Sequence, residues 1–138
     1  MKDIVISRTL GFPRTMVWEA LTTSDHLAAW LMPNDFRPVL HHSFMFKTAP
    51  APGFDGTVQC KVLEITPPER LKISWKGGAL DTVVTFELEE AGGQTQLTVS
   101  HANFKGLSNL IPWVALGLGW KDLLSKTLPT YLRTNQSK

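Results

Sequence analysis

The stretch RLKISWKGGALDTVVTFELEEAGGQTQLTVSH, residues 70–101, decides the fold. Leu71, Ile73 and Trp75 alternate with Lys72, Ser74 and Lys76, and Val84, Phe86 and Leu88 alternate with Val83, Thr85 and Glu87. Leu97, Val99 and His101 likewise alternate with Thr98 and Ser100. A period of two with one apolar set marks a half-buried strand. Gly77-Gly78 and Gly92-Gly93 separate the runs, and connections this short join antiparallel neighbours. The expectation is strands at 70–76, 81–89 and 94–101, with one face covered and the other wet.

Working back towards the N-terminus, another strand is expected at 57–65, set off by Pro67-Pro68, with Phe44 and Phe46 in a shorter strand before the loop Ala49 to Gly56. Ile4, Ile6 and Leu10 read as a first strand. Pro13 stands where a helix begins, and Val17, Trp18 and Leu21 form its apolar stripe up to Thr22. Ser24 is suited to cap a second short helix, in which Leu27, Trp30 and Leu31 share a face, and Pro33 ends it.

Working forward, Ser108 or Asn109 can cap a long helix with Pro112 in its first turn. Trp113, Gly117, Trp120, Leu124, Leu128 and Tyr131 recur at spacings of three and four. Pro129 is expected to kink or end this helix near Leu128. Disorder is expected only from Thr134 to Lys138. The class is α+β: a curved antiparallel sheet wrapped around a long C-terminal helix, in one domain spanning 1–138.

Composition narrows the function. The 138 residues carry 14 basic and 12 acidic side chains, a net charge of +2. That balance points to no nucleic acid. The longest apolar run, Leu110 to Trp120, is too short to cross a bilayer, so no membrane insertion is expected. Cys60 is the only cysteine, which fits a reducing cytoplasm and a small buried apolar role. His41 and His42 are adjacent and would point to opposite faces of a strand, so they cannot share a metal. No phosphate loop, dinucleotide fingerprint or nucleophile elbow occurs, and neither cofactor nor metal is expected.

Several stretches resemble a known family. They are Phe12-Pro13-Arg14 with Val17-Trp18-Glu19-Ala20-Leu21-Thr22, then His26-Leu27-Ala28-Ala29-Trp30-Leu31-Met32-Pro33-Asn34, and Gly53-Phe54-Asp55-Gly56 with Val58. Further on come Pro67-Pro68-Glu69-Arg70-Leu71 with Ser74-Trp75, Val83-Val84-Thr85-Phe86 with Leu88, and Gly119-Trp120-Lys121. Together with the element order, these resemble the START-like (SRPBCC) superfamily of helix-grip fold. The branch is that of the C-terminal domain of the activator of the ninety-kilodalton heat-shock protein's ATPase. The resemblance implies a helix-grip fold and leaves function open, since this fold hosts unrelated activities.

The inward aromatic supply then suggests a chamber between sheet and C-terminal helix. Its expected lining is Trp30, Phe46, Trp75, Phe86, His101, Trp113, Gly117 and Trp120, with His101 as the polar anchor. An empty void of about 300 Å³ would cost roughly 7 kcal/mol, so such a space must be filled, wet or collapsed. The leading expectation is a small apolar ligand, of lipid, polyketide or flavonoid type. A co-chaperone-like interaction domain with a chaperone partner is the second reading. A cyclase or hydrolase using His101 is the third, without a second catalytic group to support it. A monomer or weak homodimer is expected.

Overall fold

A computed structural model describes residues 1–136. Strand β1 (Ile4–Leu10) leads into helices α1 (Arg14–Thr22) and α2 (Ser24–Trp30). Strands β2 (Ser43–Lys47), β3 (Thr57–Thr66), β4 (Arg70–Gly77), β5 (Leu80–Ala91) and β6 (Gln94–Ala102) follow. They form one six-stranded antiparallel sheet in the order β1-β6-β5-β4-β3-β2. The meander read from the glycine pairs is present, and β1 closes its far side against β6.

Alternation predicted the covered face correctly. Val58, Cys60 and Val62 of β3, Leu71, Ile73 and Trp75 of β4, Val84, Phe86 and Leu88 of β5, and Leu97, Val99 and His101 of β6 are all buried. One row crosses the sheet from Val62 through Ile73, Val84 and His101 to Ile4. It places His101 under the C-terminal helix.

That helix comes in two halves. A 3-10 turn (Leu107–Asn109) enters α3 (Leu110–Asp122), a π-helical turn (Leu123–Thr127) follows, and α4 (Leu128–Gln136) completes it. Proline at 129 has no N–H for the carbonyl four residues back. The wider turn just before it accommodates the loss, with Leu128 N–H bonding to the Leu123 carbonyl. The helix therefore neither ends nor breaks at Leu128, and Thr134 to Gln136, expected to be disordered, belong to α4. Ser137 and Lys138, the rest of that expectation, lie outside the described residues.

Two expected caps do other work. The Ser24 hydroxyl donates to the Asn34 carbonyl at 3.1 Å, tying α2 to the following loop, and Thr23 occupies the N-cap. Asn109 is buried: its Oδ1 accepts from Lys105 N–H at 2.8 Å and its Nδ2 donates to the Ala79 carbonyl at 3.1 Å. It fastens the start of α3 to the β4–β5 turn.

α4 is firmly seated. Leu128 and Leu132 are buried, and the Tyr131 hydroxyl is hydrogen bonded to His26 Nδ1 on α2. Among the described residues no helix is long and apolar enough to cross a membrane, and no group of three or more His, Cys, Asp or Glu could hold a metal ion.

Candidate functional site

The aromatic side chains beneath the C-terminal helix meet one another. Trp75 lies between Phe46 and Trp120, with ring centroids 5.6 and 5.8 Å away. Trp120 also meets the Phe86 ring at 5.8 Å. His101 sits 5.3 Å from Trp75 and 4.7 Å from Phe104. Tilted and edge-on contacts at these separations are favourable for quadrupolar rings. The rings expected to line a chamber thus contact one another directly in this structure.

His101 is held by hydrogen bonds whose direction can be read. The Thr82 hydroxyl donates to the Trp75 carbonyl at 2.7 Å, so its oxygen accepts from His101 Nε2–H at 2.8 Å. The indole N–H of Trp120 donates to His101 Nδ1 at 3.1 Å. One neutral tautomer satisfies every group in this chain. Burial holds the imidazole pKa down to about 3, because no counter-charge offsets the loss of water around a cation. Both ring nitrogens are engaged, so this geometry leaves His101 no lone pair or proton to offer a substrate. Thr82 and Phe104 were absent from the expected set. Continuing the Val84–Phe86–Leu88 alternation back by one step puts Thr82 on the inner face, where a polar residue needs a partner.

The remaining members of the expected set lie apart. Trp30 is buried, but its indole N–H bonds to the Ala20 carbonyl at 2.8 Å, which fixes it against α1. Trp113 is half-buried at the outer end of α3 and donates to the Lys2 carbonyl at 2.8 Å. Gly117 faces β1: a Cβ there would meet Ile4 Cδ1 at 3.9 Å, an ordinary contact. At Gly119 a Cβ would meet nothing within 4 Å. Neither glycine is demanded by tight packing. Open grooves of about 540 and 400 Å³ occur elsewhere, the first between Arg8–Phe12 and the π turn, the second along β2–β4. None of the expected lining residues borders either groove.

The cover over the aromatic cluster is unusual. α3, LIPWVALGLGWKD, is apolar almost all round, yet Trp120 is the one residue in it that is buried. Leu110, Ile111, Val114 and Leu118 are exposed. A helix apolar on every side normally lies inside a protein or against a partner.

Cys60 is buried, and its thiol pKa is pushed up to about 12, first by burial and then by the nearby Asp35 carboxylate. It is a packing residue.

Comparison with known proteins agrees with this architecture. A search of the curated proteins returns no match. Among solved structures, protein MLL2253 from Mesorhizobium loti superposes with a TM-score of 0.87 at 26% identity, covering 96% of this chain and 98% of that one. Protein BH1534 from Bacillus halodurans gives 0.80 at 26% identity, covering 96% and 97%. The Aha1 dimer from Colwellia psychrerythraea gives 0.68 at 21% identity over 92% and 98%, a likeness of fold. The family model for Activator of Hsp90 ATPase homolog 1-like protein matches residues 11–133. With five of the six strands and most of the C-terminal helix inside that match, the chain belongs to the Activator of Hsp90 ATPase homolog 1-like family.

Proposed function

We propose that the protein binds a small, mainly apolar molecule between the sheet and the first half of its C-terminal helix, with α3 acting as the lid. One observation carries this reading: a helix apolar on all sides that buries only Trp120. The other half, α4, is anchored by Leu128, Leu132 and the Tyr131–His26 bond, and the π turn separates the two. Glycine costs a helix roughly 1 kcal/mol relative to alanine. Gly117 and Gly119 therefore weaken the segment that would have to move.

The guest displaces the Trp120 ring from Trp75, Phe86 and His101 and takes over its contacts. A carbonyl or ether oxygen on the guest accepts the indole N–H that His101 now accepts. Aromatic polyketides, flavonoids and lipids with one oxygen near the apolar body fit this requirement. Trp75, Phe86 and His101 of the sheet form the floor, Trp120 belongs to the lid above them, and Trp113 and Gly117 stand at the rim.

A thermal-shift screen with such compounds tests the reading. Ligand at 100 times its Kd adds about 2.7 kcal/mol, which raises the Tm of a domain this size by several degrees. No stabilisation across lipids, flavonoids and aromatic polyketides would overturn the proposal. The family description supports a second reading, stimulation of a chaperone ATPase through the exposed α3 face. An ATPase rate unchanged by added protein counts against it.

A further inference from the structure

The outer face of α3 and the turn before it is apolar and exposed. Leu107, Leu110, Ile111, Val114 and Leu118 recur every three or four residues and form one solvent-facing stripe. Leu107 is 90% exposed, Ile111 81% and Leu118 65%. Single exposed leucines are ordinary, whereas a contiguous stripe marks an interaction surface. Lysines surround it: Lys105 before the stripe, Lys121 and Lys126 after it, and Lys2 beside it, where the Lys2 carbonyl accepts the Trp113 N–H. The nearby acids are Asp3 and Asp122, and Asp122 is paired with Lys126 at 3.7 Å.

We propose that this face docks on an anionic lipid surface, with α3 lying flat in the headgroup region. Charge selects the occupant. A second copy packed by a two-fold axis would set Lys105 against Lys121 in an antiparallel pair, or each lysine against its own equivalent in a parallel one. Cation would meet cation in both. A protein partner normally brings about one hydrogen bond per 100–200 Å² of interface, and this stripe carries no hydrogen-bonding side chain. A bilayer asks for none: it takes an apolar face with lysines beside it, which anionic headgroups attract. Docking would also bring the α3 lid to the phase in which an apolar cargo dissolves.

The test is flotation of the full chain with vesicles of phosphatidylcholine alone and with phosphatidylserine added. Expected is binding to the anionic vesicles that weakens as salt screens the lysines. Each of Lys105→Gln and Lys121→Gln should reduce it about fivefold, and the double variant Ile111→Asp, Leu118→Asp should abolish it. Both aspartates replace exposed side chains, and circular dichroism with an unchanged Tm confirms that the fold survives. Equal binding to both vesicle types overturns the charge argument and the proposal with it. A concentration-dependent dimer lost in the aspartate variant, with no vesicle binding, overturns it in favour of a second copy. Capture of an acidic protein without vesicle binding overturns it in favour of a protein partner. None of these failures alters the thermal-shift result for soluble ligands, which separates this proposal from the one on cargo.

Discussion

Replacing His101 by phenylalanine should convert a pH-dependent stability into a flatter one. The imidazole is fully buried, accepts from Trp120 and donates to Thr82. Phenylalanine keeps a planar ring, slightly enlarged, but leaves the Trp120 N–H without an acceptor, which costs about 1–3 kcal/mol at neutral pH. Thr82 still donates to the Trp75 carbonyl. The wild-type protein pays a different penalty in acid. The folded-state pKa of His101 is depressed to about 3, below the unfolded value of about 6.5. Its contribution is therefore complete above that unfolded value and is lost as pH falls towards the folded one. Between pH 6.5 and 4.5 only the unfolded state takes up the proton, so the loss is about 1.4 kcal/mol per pH unit, or roughly 2–3 kcal/mol over the window. Urea unfolding of both proteins from pH 7.5 to 4.5 checks this. The wild type should lead by about 1–3 kcal/mol at the upper end, and the gap should close or reverse near pH 5. A gap constant across the range, or an imidazole titrating near its ordinary pKa in the folded protein, would refute the reasoning. Carboxylate titration is common to both proteins and cancels in the difference.

Three further outcomes are expected. Gly119→Ala should stabilise the fold by about 0.5–1 kcal/mol in urea unfolding, since the added Cβ meets nothing within 4 Å; a loss of stability would show that the site needs the gap even when empty. Cys60 should resist an aromatic disulfide reagent at pH 8 until urea unfolds the chain, because its thiol pKa is pushed up to about 12; rapid labelling of the folded protein would contradict its burial. Trp30→Phe should cost about 2–4 kcal/mol through the lost indole bond to Ala20 and the cavity left behind, while any ligand affinity stays the same. A large affinity loss would return Trp30 to the binding site.

The sheet was legible because its two faces see different solvents. Leu71, Ile73 and Trp75 had to share one side, and Gly77-Gly78 and Gly92-Gly93 left only short antiparallel connections. The C-terminal helix was legible in extent and only partly in form. Pro129 signalled a disturbance, but whether a helix stops or widens depends on the packing of Leu128 and Leu132 beyond it, which no local pattern records. The site was harder for the same reason. Parity shows that Phe46, Trp75, Phe86 and His101 point inwards, yet it cannot tell rings that meet each other from rings that surround a guest. Trp30 shared their character but was claimed by the Ala20 carbonyl, a contact ten residues away across a helix junction. The hydrophobic stripe of α3 was visible as spacing, but the sequence named its inner side, and the exposed Leu107–Leu118 side emerged only from the fold.

The indole signals give the most direct measurement of the claim that a guest enters beneath α3. The chain has five tryptophans, whose side-chain N–H resonances can be followed singly during titration with an aromatic polyketide or a lipid that stabilises the protein. The prediction is a large shift for Trp120 as its bond to His101 breaks, a smaller one for Trp113 at the rim, and no movement of Trp30. Stabilisation with the Trp120 signal unmoved would place the guest elsewhere and contradict the lid.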